Sequence, residues 1–136
     1  MVDIDIWINK TQIIERCLKR IQEEYDGESK NLLSNTKQDS IILNLQRCCE
    51  AAIDLAMHLC RSQKLGIPQS SREAFDLLVQ NGLLSVELSK SMKSMVGFRN
   101  IAVHDYQRLN IDILETIINE HIGDFKLYVD ELKKSL

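Results

Sequence analysis

Arg99, His104 and Tyr106 fall within eight residues of one another in the stretch MVGFRNIAVHDY, residues 95–106. Arginine presents a planar fork of donors that matches phosphate oxygens. Histidine exchanges its proton near neutral pH and is the usual general acid or base. The two at one cleft could cleave a phosphodiester. The imidazole would draw the proton from an RNA 2′-hydroxyl, and the guanidinium would stabilise the charge gathering on phosphorus. On a continuous helix, however, positions five apart stand about 140° from each other around the axis. They converge only if the helix ends between them, or if a neighbouring subunit supplies one of them. IAVHDY runs into QRLN, so His104 and Tyr106 can lie at a helix end or in the loop that follows. On spacing alone, a surface arginine with a helix-capping histidine is the weightier reading.

The elements that must position these residues read as helices, because no segment alternates as a strand does. Ile6, Ile13, Ile14, Cys17, Leu18, Ile21 and Tyr25 recur at helical spacing and predict a first helix that stops before Gly27. Residues 26–38 read as a polar loop. A second helix is expected from about Ser40 to Gln63, its core stripe running from Ile41 through Leu45, Cys48, Ala52 and Leu55 to Leu59. Ser70 with Glu73 forms a capping box for a third helix, and Gly82 ends it. Ser85 opens a fourth helix that carries Arg99, and Asn110 caps a fifth bearing Ile113, Ile117, Ile118, Phe125, Val129 and Leu132. Short connections between amphipathic helices favour antiparallel neighbours. The expectation is an all-α, up-and-down antiparallel bundle of about five helices, one domain over residues 1–136. Beyond its core stripe the second helix carries Ala51, Ile53 and Met57, a pattern that predicts a second cover, most simply a homodimer. Gly97, inside the fourth helix, is read as a point where another helix approaches closely.

The composition is that of an ordinary soluble protein, 44% apolar and 27% charged over 136 residues. No leader peptide and no membrane span are read, so a cytoplasmic protein is expected. A net charge of −3 argues against a generic nucleic-acid coat protein. Between residues 90 and 108, though, Lys90, Lys93, Arg99 and Arg108 face Asp105 alone, a net +3 around the opening stretch. Four cysteines, Cys17, Cys48, Cys49 and Cys60, lack metal-ligand spacing and read as small core hydrophobes. No metal and no cofactor is expected.

Glu50, Asp54 and His58 share one helical stripe, at i, i+4 and i+8. A metal site in the bundle is one reading, but the stripe lies opposite the core stripe and lacks a matching acidic helix. A solvated face or dimer-interface hydrogen bonding is preferred. A narrower reading has Glu50 or Asp54 reach the cleft and orient Arg99. His121 is read as a surface residue.

FRNIAVHDY fits the R-x4-H-x-Y signature of HepT-like proteins within the HEPN superfamily, with polar Asn100 directly after the arginine. ILNLQRCCEAAIDLAMHL and GIPQSSREAFDLL also resemble the corresponding HepT segments, so the likeness spans most of residues 40–130. The resemblance implies a dimeric, metal-independent endoribonuclease, the toxin of a toxin–antitoxin pair, whose two motifs share a cleft. It makes Arg99 and His104 the catalytic pair and Asn100 a supporting residue beside the RNA. It makes Tyr106 the tyrosine to which the partner antitoxin, a minimal nucleotidyltransferase of the MntA type, adds AMP from ATP. A bulky anion there would occupy the place of the RNA phosphate. The rival expectations are a non-catalytic nucleotide- or partner-binding HEPN module, and a structural partner that stabilises a nucleotidyltransferase.

Overall fold

Helix boundaries follow the capping chemistry. The computed structural model describes residues 2–104 and 110–136, with the backbone alone at 103 and 104. Asp3 caps α1 (Ile4–Tyr25), its carboxylate accepting from the amides of Asp5 and Ile6. Asp26 and Gly27, at φ of 50° and 69°, end it in the left-handed region. The predicted loop is shorter than expected. A 3-10 turn, Ser29–Leu33, buries Leu32, and Ser34 then caps a long α2 (Asn35–Ser62).

Ser70 caps α3 (Ser71–Gln80), accepting from the Glu73 amide at 3.1 Å. Glu73 reaches back as in a capping box, but to the amide of Gln69 rather than that of Ser70. Gly82, at φ 77°, closes the helix while the Leu83 amide donates to the Leu78 carbonyl, the Schellman arrangement. α4 (Val86–His104) opens on Ser85, whose hydroxyl accepts from the Leu88 amide.

The expected fifth helix is broken. Asn110 caps α5 (Ile111–Thr116), a π-helical turn follows at Ile117–His121, and α6 (Asp124–Lys133) completes the described chain. The described residues thus form six α-helices where about five were predicted, the extra one arising from this wide turn.

α2 is the axis of the bundle, in contact with α1, α3 and α4. α1 runs antiparallel to it, since Lys10 meets Asp54 while the Cys48 thiol lies against the Ile14 carbonyl. α6 is docked by Tyr128, fully buried, which donates its hydroxyl to the Ala52 carbonyl at 2.7 Å and meets Phe75 edge to face. Ser91 on α4 donates to Asp124 on α6, and Tyr25 on α1 donates to Glu115 on α5. All four cysteines are free and buried within this core.

Ala51 is buried in the chain's own core, and Ile53 and Met57 pack against it. The apolar surplus on α2, taken as a sign of a second subunit, is therefore covered in large part within the chain, with Ile53 and Met57 left half-buried.

Candidate active site

Arg99 stands on the face of α4 that meets α2. Its guanidinium reaches the Glu50 carboxylate at 4.0 Å, the outer limit of an ion pair, with the Arg99 side chain about a quarter exposed and Glu50 more than half exposed. Asp54, the other residue considered as an orienting group, is taken by Lys10 at 2.9 Å. Beneath the arginine lies Cys49, whose thiol donates to the Met95 carbonyl one turn back on α4. Burial pushes the Cys49 thiol up to about 12 even though Arg99 pulls the other way, so it stays protonated and neutral. The Arg99 Nε is buried with no hydrogen-bond partner among the described residues. The arginine is thus held from below by packing and at one edge by a glancing charge. Among the described residues its donors are left largely uncommitted, the state in which a guanidinium can take a phosphate oxygen pair.

α4 stays helical from Arg99 through His104, so it does not end between them. The two positions sit about 140° apart around the axis and about 7.5 Å apart along it. Position 104 shares its face with Gly97 and Ile101, at i, i+4 and i+7, whereas Arg99 faces α2. That second face is open: Gly97 and Ile101 line a groove of about 880 Å³ between α4 and α5, with Phe98, Ile113 and Ile117. Among the described residues a Cβ added at Gly97 would meet nothing within 4 Å, so no described helix of this chain makes the close approach expected there. Asn100 is exposed beside Arg99. Tyr106, Asp105 and Arg108 lie outside the described residues.

The charge count around the motif changes in three dimensions. Lys93 is paired with Asp76 on α3, and Lys90 lines a groove it shares with Glu87, Asp112 and Asp124. Among the described residues, the local excess of positive charge read from residues 90–108 is therefore partly offset by carboxylates, most of them from other helices.

The Glu50–Asp54–His58 stripe also separates. His58 is buried, not solvated, and its Nε2 accepts from the Asp3 amide at 3.0 Å. A neutral imidazole has one acceptor nitrogen, so Nδ1 carries the proton and faces the Arg61 guanidinium at 3.4 Å, donor against donor. Burial first, then Arg61, lowers the His58 pKa from its ordinary 6.5. It pins the start of α1 to α2. His121 is exposed, yet it meets Asp124 at 3.5 Å. No group of three or more potential metal ligands gathers among the described residues.

Comparison with known proteins decides the family. The model of the ribonuclease HepT-like family matches residues 14–132. This chain belongs to the HepT-like family. It is 56% identical over 129 residues to the mRNA nuclease HepT of Shewanella oneidensis, covering 95% of this chain and 97% of that one. It is also similar to the tRNA nuclease HepT of Aphanizomenon flos-aquae, 27% identical over 128 residues, covering 93% and 87% of the two chains. The fold of this HepT-like protein superposes, with a TM-score of 0.90 and 55% identity, on the tri-AMPylated Shewanella oneidensis HEPN toxin solved in complex with MNT antitoxin. That match covers 96% of the chain described here and 98% of the other.

A feature of this HepT-like protein that the motif does not announce is its second cationic site. Arg16, Lys19 and Arg20 on α1 line a groove opposite Arg47 on α2. The run ERCLKR was a visible signal, but Arg47 joins it only through antiparallel packing.

Proposed function

We propose that this chain is an endoribonuclease, the toxin of a toxin–antitoxin pair, acting as a homodimer on RNA in the cytoplasm. The observation that carries the reading is the state of Arg99: a guanidinium seated over a neutral floor, its Nε without a partner among the described residues, on the helix that also carries position 104. The high identity with a protein named as an mRNA nuclease, over nearly the whole of both chains, supports the substrate class.

Because Arg99 and position 104 occupy different faces of one unbroken helix, a single copy does not bring them to one point. The open, apolar-lined face of α4 around Gly97 and Ile101 gives a second copy somewhere to pack. A second copy that laid its α2–α4 edge against that face would set its Arg99 toward His104 of the first. His104 then takes the proton from the 2′-hydroxyl, the 2′-oxygen attacks phosphorus, and the bond to the 5′-oxygen breaks. The 5′-oxygen gains a proton, and the products are a 2′,3′-cyclic phosphate and a 5′-hydroxyl. Asn100, exposed beside Arg99, is the supporting polar contact.

The switch is AMP transfer to Tyr106 by a minimal nucleotidyltransferase. The phenol oxygen attacks the α-phosphorus of ATP, and pyrophosphate leaves. Each added AMP brings a phosphate to compete for Arg99. The AMPylated state of the Shewanella toxin in complex with its antitoxin supports this reading.

The test is cleavage of RNA by purified protein with chelator present, for the wild type, Arg99→Ala and His104→Ala. The expected result is loss of cleavage in both variants and a cyclic phosphate end in the wild-type product. Cleavage that persists in either variant would remove that residue from the catalytic pair. Tight nucleotide binding with no cleavage by the wild type would point to a binding module instead.

A further inference from the structure

The groove between α1 and α2 differs in kind from the one beside α4. It encloses about 620 Å³, and five cations line it: Lys10, Arg16, Lys19 and Arg20 from α1, and Arg47 from α2. Its carboxylates are already engaged. Asp54 meets Lys10 at 2.9 Å, Glu23 meets Arg20 at 3.8 Å, and Glu50 meets Arg99 at 4.0 Å. Arg16, Lys19 and Arg47 remain exposed and form no ion pair among the described residues. Three uncompensated charges in one groove run against the sign of a chain whose net charge is −3.

The groove is also joined to the candidate active site. Glu50 belongs to both: it lines the groove and touches Arg99. Arg47 precedes Glu50 by three residues on α2, one helical turn, or about 4.5 Å along the axis. Ile13, Cys17 and Ala51 make part of the wall apolar, but no aromatic side chain lines it. A protein partner gains most of its affinity from aromatic and aliphatic anchors in pockets. A single strand of nucleic acid is tracked along its backbone by a positively charged groove.

We infer that the α1–α2 groove is a phosphate track that holds single-stranded RNA beyond the scissile position and leads it to Arg99, with Arg16, Lys19 and Arg47 as the positioning residues. The inference rests on the ribonuclease reading for its substrate class. Lacking aromatic platforms, the track reads phosphates and not bases, so it sets affinity and register without choosing a sequence. The field it makes is felt by a neighbour. The Cys17 thiol, on the groove wall, is lowered to about 7, first by the hydrogen bond from Cys48 and then, against burial, by Arg47 and Arg16.

The experiment compares the wild-type full chain with the triple variant Arg16→Gln, Lys19→Gln, Arg47→Gln. Binding of a 2′-O-methyl single-stranded RNA, which the 2′-hydroxyl route cannot cut, is measured by fluorescence anisotropy across a salt series. Each phosphate contact on a single strand contributes about 0.7 to the slope of log K against log salt, so the slope should flatten by about 2. On a cleavable RNA the loss should appear in KM, with kcat at saturation little changed. An unchanged slope, or no RNA binding by the wild type, overturns the inference. So does a variant that keeps RNA binding but loses its complex with a nucleotidyltransferase antitoxin, which would make the groove a protein interface. A flattened slope with no cleavage by the wild type would sink the ribonuclease reading and leave the track standing.

Discussion

The Arg99 guanidinium and the Glu50 carboxylate face each other at 4.0 Å, close enough to feel one another and too far to share a hydrogen bond. Glu50 is more than half exposed, so the pair stabilises the fold by less than about 1 kcal/mol. Its effect is on the arginine. If Arg99 binds the RNA phosphate as proposed, the carboxylate competes for the donors that phosphate would use and holds the head group at one edge until then.

Glu50→Gln should therefore leave thermal stability almost unmoved while changing RNA handling. Binding of an uncleavable RNA should tighten by roughly two- to fivefold, the scale of one exposed charge pair. The same variant should lose kcat, because the guanidinium is no longer steered. Weaker RNA binding in this variant would mean that Glu50 supports the substrate and does not compete with it.

Burial of His58 makes the start of α1 sensitive to acid. Its folded pKa lies below the ordinary 6.5, so the neutral form is favoured in the native state. The stability it contributes is present above pH 6.5 and is lost as pH falls through the lower, folded value. Protonation would also remove the lone pair that receives the Asp3 amide. The melting temperature should decline below pH 6.5, and the decline in that window should be absent from His58→Gln. A wild-type profile flat through this range would contradict the assignment.

Tyr128→Phe removes one buried hydrogen bond and keeps the ring. The Ala52 carbonyl it leaves lies in the interior of α2, where the helix supplies a second partner. The cost should be near that of an ordinary hydrogen bond, about 1 kcal/mol. Urea unfolding would measure it, with the midpoint falling at constant slope. A cost of several kcal/mol would show that the hydroxyl also orders α6.

Gly97→Ala separates the single chain from the dimer. With nothing within 4 Å of the new methyl, the substitution should stabilise an isolated chain by about 0.5–1 kcal/mol through helix propensity. If a second copy packs on that face, the methyl should weaken association instead. Sedimentation over a dilution series, read beside thermal melts, distinguishes the two. An unchanged dimer with a raised melting temperature would place the subunit contact elsewhere.

Much of the bundle was legible because capping is local. Ser70, Ser85, Asn110 and Gly82 act within a few residues of themselves, and each performs the role its residue type implies. The start of α2 was missed because its first turn, NTKQ, is polar and the helix there is secured by Ser34 and by buried Leu32 nearby. Charge was the least legible property. Lys93 finds Asp76 on another helix, while Arg47 joins Arg16 and Lys19 only after α1 folds back along α2. A sum over a stretch of sequence contains neither event. His58 was misplaced for a related reason: the stripe it belongs to leaves the surface where the chain preceding α1 crosses it. Arg99 and its motif were singled out by residue type and the family resemblance, spacing alone favouring a surface arginine, and the Cys49 floor beneath the arginine belongs to α2 and is visible only in the packing.

The π-helical turn at Ile117–His121 makes the length of the last helical segment matter more than its surface composition. Upstream of it Glu115 meets Tyr25; downstream, Phe125, Tyr128 and Leu132 are seated in the core. The wide turn accommodates one more residue than a regular turn and so sets the phase between these two attachments. Exposed Asn119 could change identity at little cost, but its removal would rotate everything after it by about 100°. Tyr128 would leave Ala52, and the final helix would present the wrong side to the bundle. The C-terminal fifth of the chain is in this sense written in a frame, tolerant of substitution on its surface and intolerant of a shift.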